Sequence, residues 1–186
     1  LHLKGLKGRW VAEPSFLSHS GLDSALNLGV LSSRNITLII NACGLEDVSY
    51  PQLDGLQVLH VPVQDQPHAP LRHYFDPVAE RIHKNQTGST LVHCSAGRSR
   101  SPALIMAYLM RFSGLSLRRA HEVVLEQRPF IRPNAGFWRQ LMDYERTLFS
   151  RNTVRMVRTS RPVHSGSDET EDGSDTRHSP SVEGVC

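Results

Sequence analysis

Apolar positions along the chain fall into short continuous runs and into spaced repeats. Three runs rich in Val, Ile and Leu are typical of buried strands. They are residues 36–40 (ITLII), 56–63 (LQVLHVPV) and 89–93 (STLVH), and residues 10–18 are also predicted to be extended. The Pro-rich, polar stretch 62–70 predicts a loop that follows the second run.

Helices are predicted between and after these strands. Residues 71–85 place Leu71, Phe75, Val78 and Ile82 at helical spacing, and residues 102–112 are almost wholly apolar, as in a buried helix. Further helices are predicted at 22–31, 116–127 and 134–149. The alternation of strands and helices favours one α/β domain, whose central, mainly parallel sheet is flanked by helices.

Length and charge divide the chain into two parts. The 186 residues suit one domain of about 150 residues followed by a tail. Residues 161–186 hold six acidic and two basic side chains and so carry −4, which leaves +7 for residues 1–160 within the formal net charge of +3. We expect a catalytic domain over residues 8–150 and a disordered, acidic, Ser-rich tail over residues 151–186.

The spacing of the cysteines and the hydropathy of the chain indicate in which cellular compartment we expect the protein. Cys43, Cys94 and Cys186 lie far apart, without CxxC pairs or zinc spacing, which favours a reducing compartment. We therefore expect a cytoplasmic location and leave the nucleus open. No apolar run approaches the roughly 18 residues that a membrane span needs. The basic body could attract nucleic acid, membrane phosphates or a phosphorylated protein, and charge alone does not choose among them.

The segment LVHCSAGRSRSPA, residues 91–103, joins the last predicted strand to the apolar helix. Ligands bind at this end of the strands in open α/β sheets. Gly97 permits a tight curl, so successive N–H groups can face inward and form an anion site at the positive end of the helix. The residues of this loop, which we call the phosphate loop, are Ser95, Ala96, Gly97, Arg98, Ser99 and Arg100.

Two side chains of this segment suit phosphoryl chemistry. Arg100 supplies a planar fork that matches two phosphate oxygens. Cys94 lies at the base of the loop, where a helix N-terminus and a guanidinium favour the nucleophilic thiolate. A lone cysteine after a strand is more often a small buried side chain, but the His-Cys-x5-Arg-Ser spacing disfavours that interpretation. A nucleotide P-loop is disfavoured because GxxxxGK[ST] is absent.

The segment VHCSAGRSRS resembles the signature loop of cysteine-based protein phosphatases, and its AGxSRS form is similar to that of the dual-specificity branch. Residues 61–76, 107–117 and 128–145 also resemble the small atypical dual-specificity phosphatases, which lack a kinase-docking domain. The resemblance extends over residues 8–150. It departs at Arg98, where the family often has a β-branched apolar residue; the extra cation would favour acidic or multiply phosphorylated substrates, unless it simply points to solvent.

The resemblance implies a role for each matching residue. Cys94 is the implied nucleophile of a cysteinyl-phosphate intermediate, and Arg100 with the loop amides holds the phosphoryl oxygens. Ser101 would donate its hydroxyl to the departing thiolate, or cap the helix, or do both. His93 is expected to orient the loop through hydrogen bonds. Asn134 is expected either to brace the loops or to cap the last helix.

The leaving oxygen needs a proton from an acid on a separate loop. Asp65 matches the family's acid by position, follows a predicted strand and precedes Cys94 by 29 residues. Asp76 is the nearest alternative, but it falls inside the predicted helix 71–85. Asp65 could also be an ordinary solvated loop carboxylate.

The resemblance implies a dual-specificity protein phosphatase that acts on phosphotyrosine, phosphoserine and phosphothreonine, because no tyrosine-recognition segment that would deepen the pocket is found. Phosphorylated proteins, signalling kinases among them, are the expected partners, and no nucleic-acid partner, metal or cofactor is expected. Two alternatives stay open: a phosphatase of lipid or RNA phosphates, and a catalytically idle phospho-binding module. Cys43 is interpreted as a core residue rather than a resolving thiol.

Overall fold

The structure is a computed structural model that describes residues 2–6, 9–12, 25–44, 48–86, 88–157 and 181–184. The strands within these ranges are β1 (His2–Leu6), β2 (Arg9–Ala12), β3 (Ile36–Asn41), β4 (Gln57–His60), β5 (Ser89–His93), β6 (Val154–Val157) and β7 (Ser181–Gly184). The α-helices are α1 (Leu28–Ser33), α2 (Phe75–Lys84), α3 (Arg100–Ser113), α4 (Leu117–Gln127) and α5 (Ala135–Phe149).

The main sheet has the strand order β2-β1-β5-β3-β4. Strand β3 runs parallel to β4 and β5, so the three predicted strands form the expected parallel unit. The prediction that the run 56–63 is a buried strand is wrong, because its strand β4 lies at the edge of the sheet with Gln57 and Val58 exposed. The α/β prediction is confirmed. Strand β1 pairs antiparallel with β5 and β2 and extends one edge of the sheet. The predicted extended segment 10–18 overlaps β2, and its residues 13–18 lie outside the described ranges.

Helix α3 forms the centre of the core. Its residues from Arg100 to Met110 are all buried, and it packs against α2, α4 and α5. A helix that is apolar on all faces must be surrounded by other elements, which explains why this sequence lies in the middle of the domain. The start of α3 is therefore held rigidly beside the end of β5.

Two helices differ from their predicted bounds. In the predicted helix 22–31, the described helix α1 begins only at Leu28, because the Asn27 side chain accepts a hydrogen bond from Val30 N at 3.0 Å and caps it. Residues 22–24 lie outside the described ranges. The predicted helix 71–85 begins as a 3-10 turn, Leu71–Tyr74, and becomes α-helical at Phe75.

Part of the segment predicted to be a disordered tail forms strands. β6 and β7 pair antiparallel, and Val154 of β6 is buried against the core, so apolar burial stabilises this stretch. Residues 158–180 and 185–186 lie outside the described ranges, and the domain boundary at residue 150 stays a prediction. None of the helices in the described part of the chain is long and apolar enough to cross a membrane.

Candidate active site

Cys94 directly follows β5 and is only 1% exposed. Its Sγ lies 3.4 Å from Oγ of Ser101, which belongs to the first turn of α3. The seven-residue separation is bridged by the curled phosphate loop. The structure therefore brings together the two side chains that the sequence analysis assigned to the nucleophile and to the group that assists its departure.

The curl of the phosphate loop depends on Gly97, which has a φ of +65°. Ser99 is the N-cap residue of α3, but its side chain makes no capping hydrogen bond. The suggestion that Ser101 caps this helix is wrong, since Ser101 lies inside the first turn. The Ser99 hydroxyl is turned toward a different loop instead.

Arg100 is 6% exposed, and its guanidinium is held from two directions. Nη1 donates to the carbonyl oxygen of Val63 at 3.2 Å, and Nη2 donates to Oγ of Ser95 at 3.1 Å. Nε is buried and has no hydrogen-bond partner among the described residues. The guanidinium is thus held by two hydrogen bonds, while its Nε is unpaired among the described residues.

Asp65 contacts the phosphate loop. Oγ of Ser99 donates to Oδ1 of Asp65 at 2.7 Å, and Nδ2 of Asn134 donates to the same oxygen at 2.9 Å. The residue is exposed, and its Oδ2 has no hydrogen-bond partner in the described part of the chain. The predicted acid is therefore anchored through one oxygen, and the other can carry a proton toward a bound ester.

The loop that carries Asp65, residues 62–70, packs on helix α5. A Cβ on Gly136, in the first turn of α5, would overlap the carbonyl of Pro67, so only glycine allows this approach. Nε2 of Gln140 donates to the carbonyl of Ala69 at 2.9 Å, and Arg72 N donates to Oε1 of Gln140 at 2.6 Å. Helix α5 thereby sets the position of the loop.

Asp76, the alternative acid, is engaged elsewhere. It pairs with Arg111 at 2.6 Å and with Arg72 at 3.5 Å, and it accepts a hydrogen bond from Tyr144 Oη at 2.5 Å. These contacts join α2 to α3 and α5. Among the described residues, the Asp76 carboxylate makes no contact with the phosphate loop.

Asn134 fulfils both of the functions between which the sequence could not decide. Its Oδ1 accepts from Phe137 N at 3.0 Å and caps α5. Its Nδ2 reaches Asp65, and its backbone N–H donates to Oγ of Ser99 at 3.1 Å. The residue caps a helix and braces two loops at once.

His93 directly precedes Cys94 in the chain and is buried. Its ring lies between the side chains of Cys43 and Tyr50. Nδ1 is 3.4 Å from Sγ of Cys43, and Nε2 is 2.7 Å from the Tyr50 hydroxyl. Burial, with the nearby positive charge of Arg100, lowers the pKa of His93 to about 4. A neutral histidine therefore ties the ends of β5 and β3 to the segment that contains Tyr50.

Cys43 and Tyr50 were not among the predicted site residues. Cys43 is buried, as expected of a core residue, and burial raises the pKa of its thiol. Both residues lie more than 40 positions from His93, at separations of 50 and 43. No local pattern could have indicated that they surround it.

No group of three His, Cys, Asp or Glu side chains in the described ranges is arranged to hold a metal ion.

The strand–loop–helix site and the parallel sheet agree with comparisons to known proteins. The family model of the dual specificity phosphatase catalytic domain matches residues 21–147. The chain belongs to the dual specificity phosphatase family, and it is a protein phosphatase. The resemblance on which the sequence analysis relied is confirmed, and a lipid or RNA phosphatase is not favoured.

Its relatives include small members of the family. The chain is 49% identical to human dual specificity protein phosphatase 14 over 138 residues, which are 73% of this chain and 68% of the relative. It is 46% identical to human dual specificity protein phosphatase 18 over 142 residues, 75% of this chain and 73% of the relative. A mouse putative dual specificity phosphatase, crystallised with zinc tungstate, superposes with a TM-score of 0.66 at 39% identity, covering 70% of this chain and 82% of that one.

Proposed function

We propose that the chain hydrolyses phosphotyrosine, phosphoserine and phosphothreonine in proteins through a cysteinyl-phosphate intermediate on Cys94. The observation that carries this proposal is the convergence of four groups on one loop. Cys94 lies 3.4 Å from Ser101, Arg100 is bound to Ser95 of the same loop, and Asp65 is bound to Ser99.

In the first step, the Cys94 thiolate attacks phosphorus and forms an S–P bond. The P–O bond to the substrate oxygen breaks, and its electron pair stays on that oxygen. Asp65 transfers its proton there, so the product is a neutral alcohol or phenol. Arg100 and the loop N–H groups stabilise the charge on the equatorial oxygens, and the unpartnered Nε of Arg100 is a donor for one of them.

In the second step, water attacks phosphorus and Asp65 accepts its proton. The S–P bond breaks, inorganic phosphate leaves, and the electron pair returns to sulfur. The Ser101 hydroxyl donates a hydrogen bond to the thiolate as it forms. A hydrogen bond to a charged acceptor contributes about 1.5–3 kcal/mol, which accelerates this step without full protonation of the departing sulfur.

Two observations on the relatives support the proposed substrate class. Both human relatives are named dual specificity protein phosphatases, which supports phosphorylated proteins as substrates. The mouse relative was crystallised in complex with zinc tungstate, and tungstate is a tetrahedral oxyanion like phosphate, which supports oxyanion binding by the shared fold. Signalling kinases belong to the proposed range of phosphorylated substrates.

Turnover by wild type and Cys94→Ser tests the proposal. The substrates are p-nitrophenyl phosphate, phosphotyrosine and phosphothreonine peptides, a phosphoinositide and a 5′-triphosphate RNA. We expect the peptides to be hydrolysed and Cys94→Ser to abolish turnover while it keeps affinity for phosphate. Cys186→Ser, the same atom exchange at the last residue, should keep full activity.

Two results would overturn the assignment. Residual activity of Cys94→Ser above a few per cent of wild type would exclude Cys94 as the nucleophile. Binding of phosphopeptides without turnover by the wild type would identify a phospho-binding module.

A further inference from the structure

Arg128 lies at the end of α4 and places its guanidinium against the phosphate loop. A Cβ built on Gly97 would lie 2.7 Å from Nη1 of Arg128 and 3.4 Å from its Cζ. The side chain therefore rests directly on the backbone of Gly97. Gly97 is required for two reasons, its positive φ and the room that this guanidinium occupies.

Backbone hydrogen bonds fix the segment that carries Arg128. The N–H of Arg128 donates to the carbonyls of Val124 and Leu125 at 2.9 and 3.2 Å, and its carbonyl accepts from Ile131 N at 3.3 Å. Arg132 N donates to the carbonyl of Arg98 at 2.6 Å, which ties this segment to the phosphate loop. The contact between Arg128 and Gly97 is thus part of the fold.

The guanidinium of Arg128 has no carboxylate partner in the described part of the chain. Within the described ranges Arg72, Arg111 and Arg119 each pair with a carboxylate, whereas no carboxylate lies within ion-pair distance of Arg128. The guanidinium is half-buried, and this burial lowers its pKa, while the negative charge of Cys94 acts in the opposite direction. An unpaired, partly desolvated cation is unfavourable unless an anion nearby compensates for it.

We propose that Arg128 is a second guanidinium of the phosphate site, a positioning residue that acts on Cys94 through the intervening loop. Its charge holds Cys94 in the thiolate form and keeps the Gly97 turn in the geometry that binds the phosphoryl oxygens. The proposal rests on the proposed function, because it takes Cys94 as the nucleophile. It adds a residue from a separate helix, which is 34 positions further along the chain.

Other titratable or charged groups lie around Cys94. On its own strand and loop these are His93, Arg98 and Arg100; on neighbouring elements they are Cys43, after β3, and Asp65 of the loop 62–70. Substitutions at the end of α4 leave all five of these residues in place.

The experiment measures alkylation of Cys94 by iodoacetamide against pH, with the modified peptide quantified by mass spectrometry. The variants are Arg128→Met, which removes the charge at similar length, and Arg128→Lys, which retains it. Arg119→Met is the matched control, because it removes the same charge from an exposed position of α4. We expect the pH midpoint of alkylation to rise by at least about half a unit in Arg128→Met. It should stay near the wild-type value in Arg128→Lys and in Arg119→Met.

An unchanged midpoint in Arg128→Met, or an equal rise in Arg119→Met, would overturn the proposal. If Arg128→Met does not fold, Arg128→Gln is measured by the same criteria, and failure of both to fold would make Arg128 a structural residue only. Alkylation reports the thiolate without turnover, so this result is independent of the activity of Cys94→Ser, which tests the proposed function.

Discussion

Asn134 and Asp65 are 69 residues apart in the sequence, yet Nδ2 of Asn134 donates a hydrogen bond to Oδ1 of Asp65 at 2.9 Å. The backbone N–H of Asn134 also donates to Ser99 at 3.1 Å, and its side-chain oxygen caps α5. One residue thus connects the loop of the proposed acid with the phosphate loop and fixes both to a helix end.

Substitution of Asn134 by serine separates these functions. Serine is as good an N-cap as asparagine, so Asn134→Ser should melt near the wild-type temperature. Its short hydroxyl does not replace the amide donor to Asp65, and we expect kcat on a phosphothreonine peptide to fall about three- to tenfold, since a misplaced acid loses part of its effect. Asn134→Ala should show the same loss and in addition about 1 kcal/mol lower stability. Full activity of Asn134→Ser would show that the bond to Asp65 has no part in catalysis.

Asp65→Asn tests the acid itself. An amide cannot protonate the leaving oxygen, so we expect kcat on phosphothreonine to drop at least tenfold, and by no more than the factor of about 10²–10⁴ that a placed acid supplies. The loss should be smaller on p-nitrophenyl phosphate, whose phenolate leaves readily. Asp76→Asn is the control and should keep kcat, because Asp76 is bound to Arg111 and Tyr144. An equal loss on both substrates would move the acid role away from Asp65.

Arg100→Lys should lose most of the activity at constant charge. The guanidinium of Arg100 reaches Val63 and Ser95 at the same time, at 3.2 and 3.1 Å, and a lysine ammonium cannot form both bonds while it also binds phosphate. We expect the inhibition constant for vanadate to rise at least tenfold along with the loss of kcat/KM. Retention of vanadate affinity in Arg100→Lys would contradict a bidentate contact.

His93 makes stability depend on pH in the acid range. Its pKa is about 4 in the folded protein against 6.5 for an ordinary histidine, so the unfolded chain takes up a proton first as the pH falls. The stability that neutral His93 contributes is therefore fully present above pH 6.5 and is lost as the pH falls from about 6.5 to 4. The free energy of unfolding decreases by about 3 kcal/mol over this range. Urea unfolding of wild type and His93→Gln across this range measures it. Parallel curves for the two proteins would assign the acid sensitivity to other groups.

Glu145 is fully buried and holds the start of α4 and the approach to β6. It accepts hydrogen bonds from Leu117 N at 2.7 Å and from the backbone N–H and hydroxyl of Thr153 at 2.8 and 2.7 Å. Glu145→Ala leaves these donors unpaired, so we expect a loss of about 2–4 kcal/mol and a lower melting temperature in calorimetry. Glu122→Ala, which removes an exposed ion pair on α4, should melt close to wild type. Equal melting of both variants would contradict this account.

Much of the site could be predicted from the sequence because its chemistry is local in the chain. The apolar runs 36–40 and 89–93 determine two central strands, and the apolar stretch after Pro102 determines the buried helix. Cys94, the curl at Gly97 and Arg100 lie within seven positions, from the end of a strand to the first residue of a helix. Their convergence follows from backbone geometry that the residue types themselves dictate.

The relations between distant residues were decided only by the tertiary structure. The sequence could not choose between the two functions of Asn134, and it gave no sign of the contacts from Tyr50 and Cys43 to His93 or from Arg128 to Gly97. The periodicity of apolar residues predicts which face of a helix or strand is buried, but not which residues of another element contact that face. Those contacts depend on how α4, α5 and the loops pack around α3, and this packing is a property of the whole core.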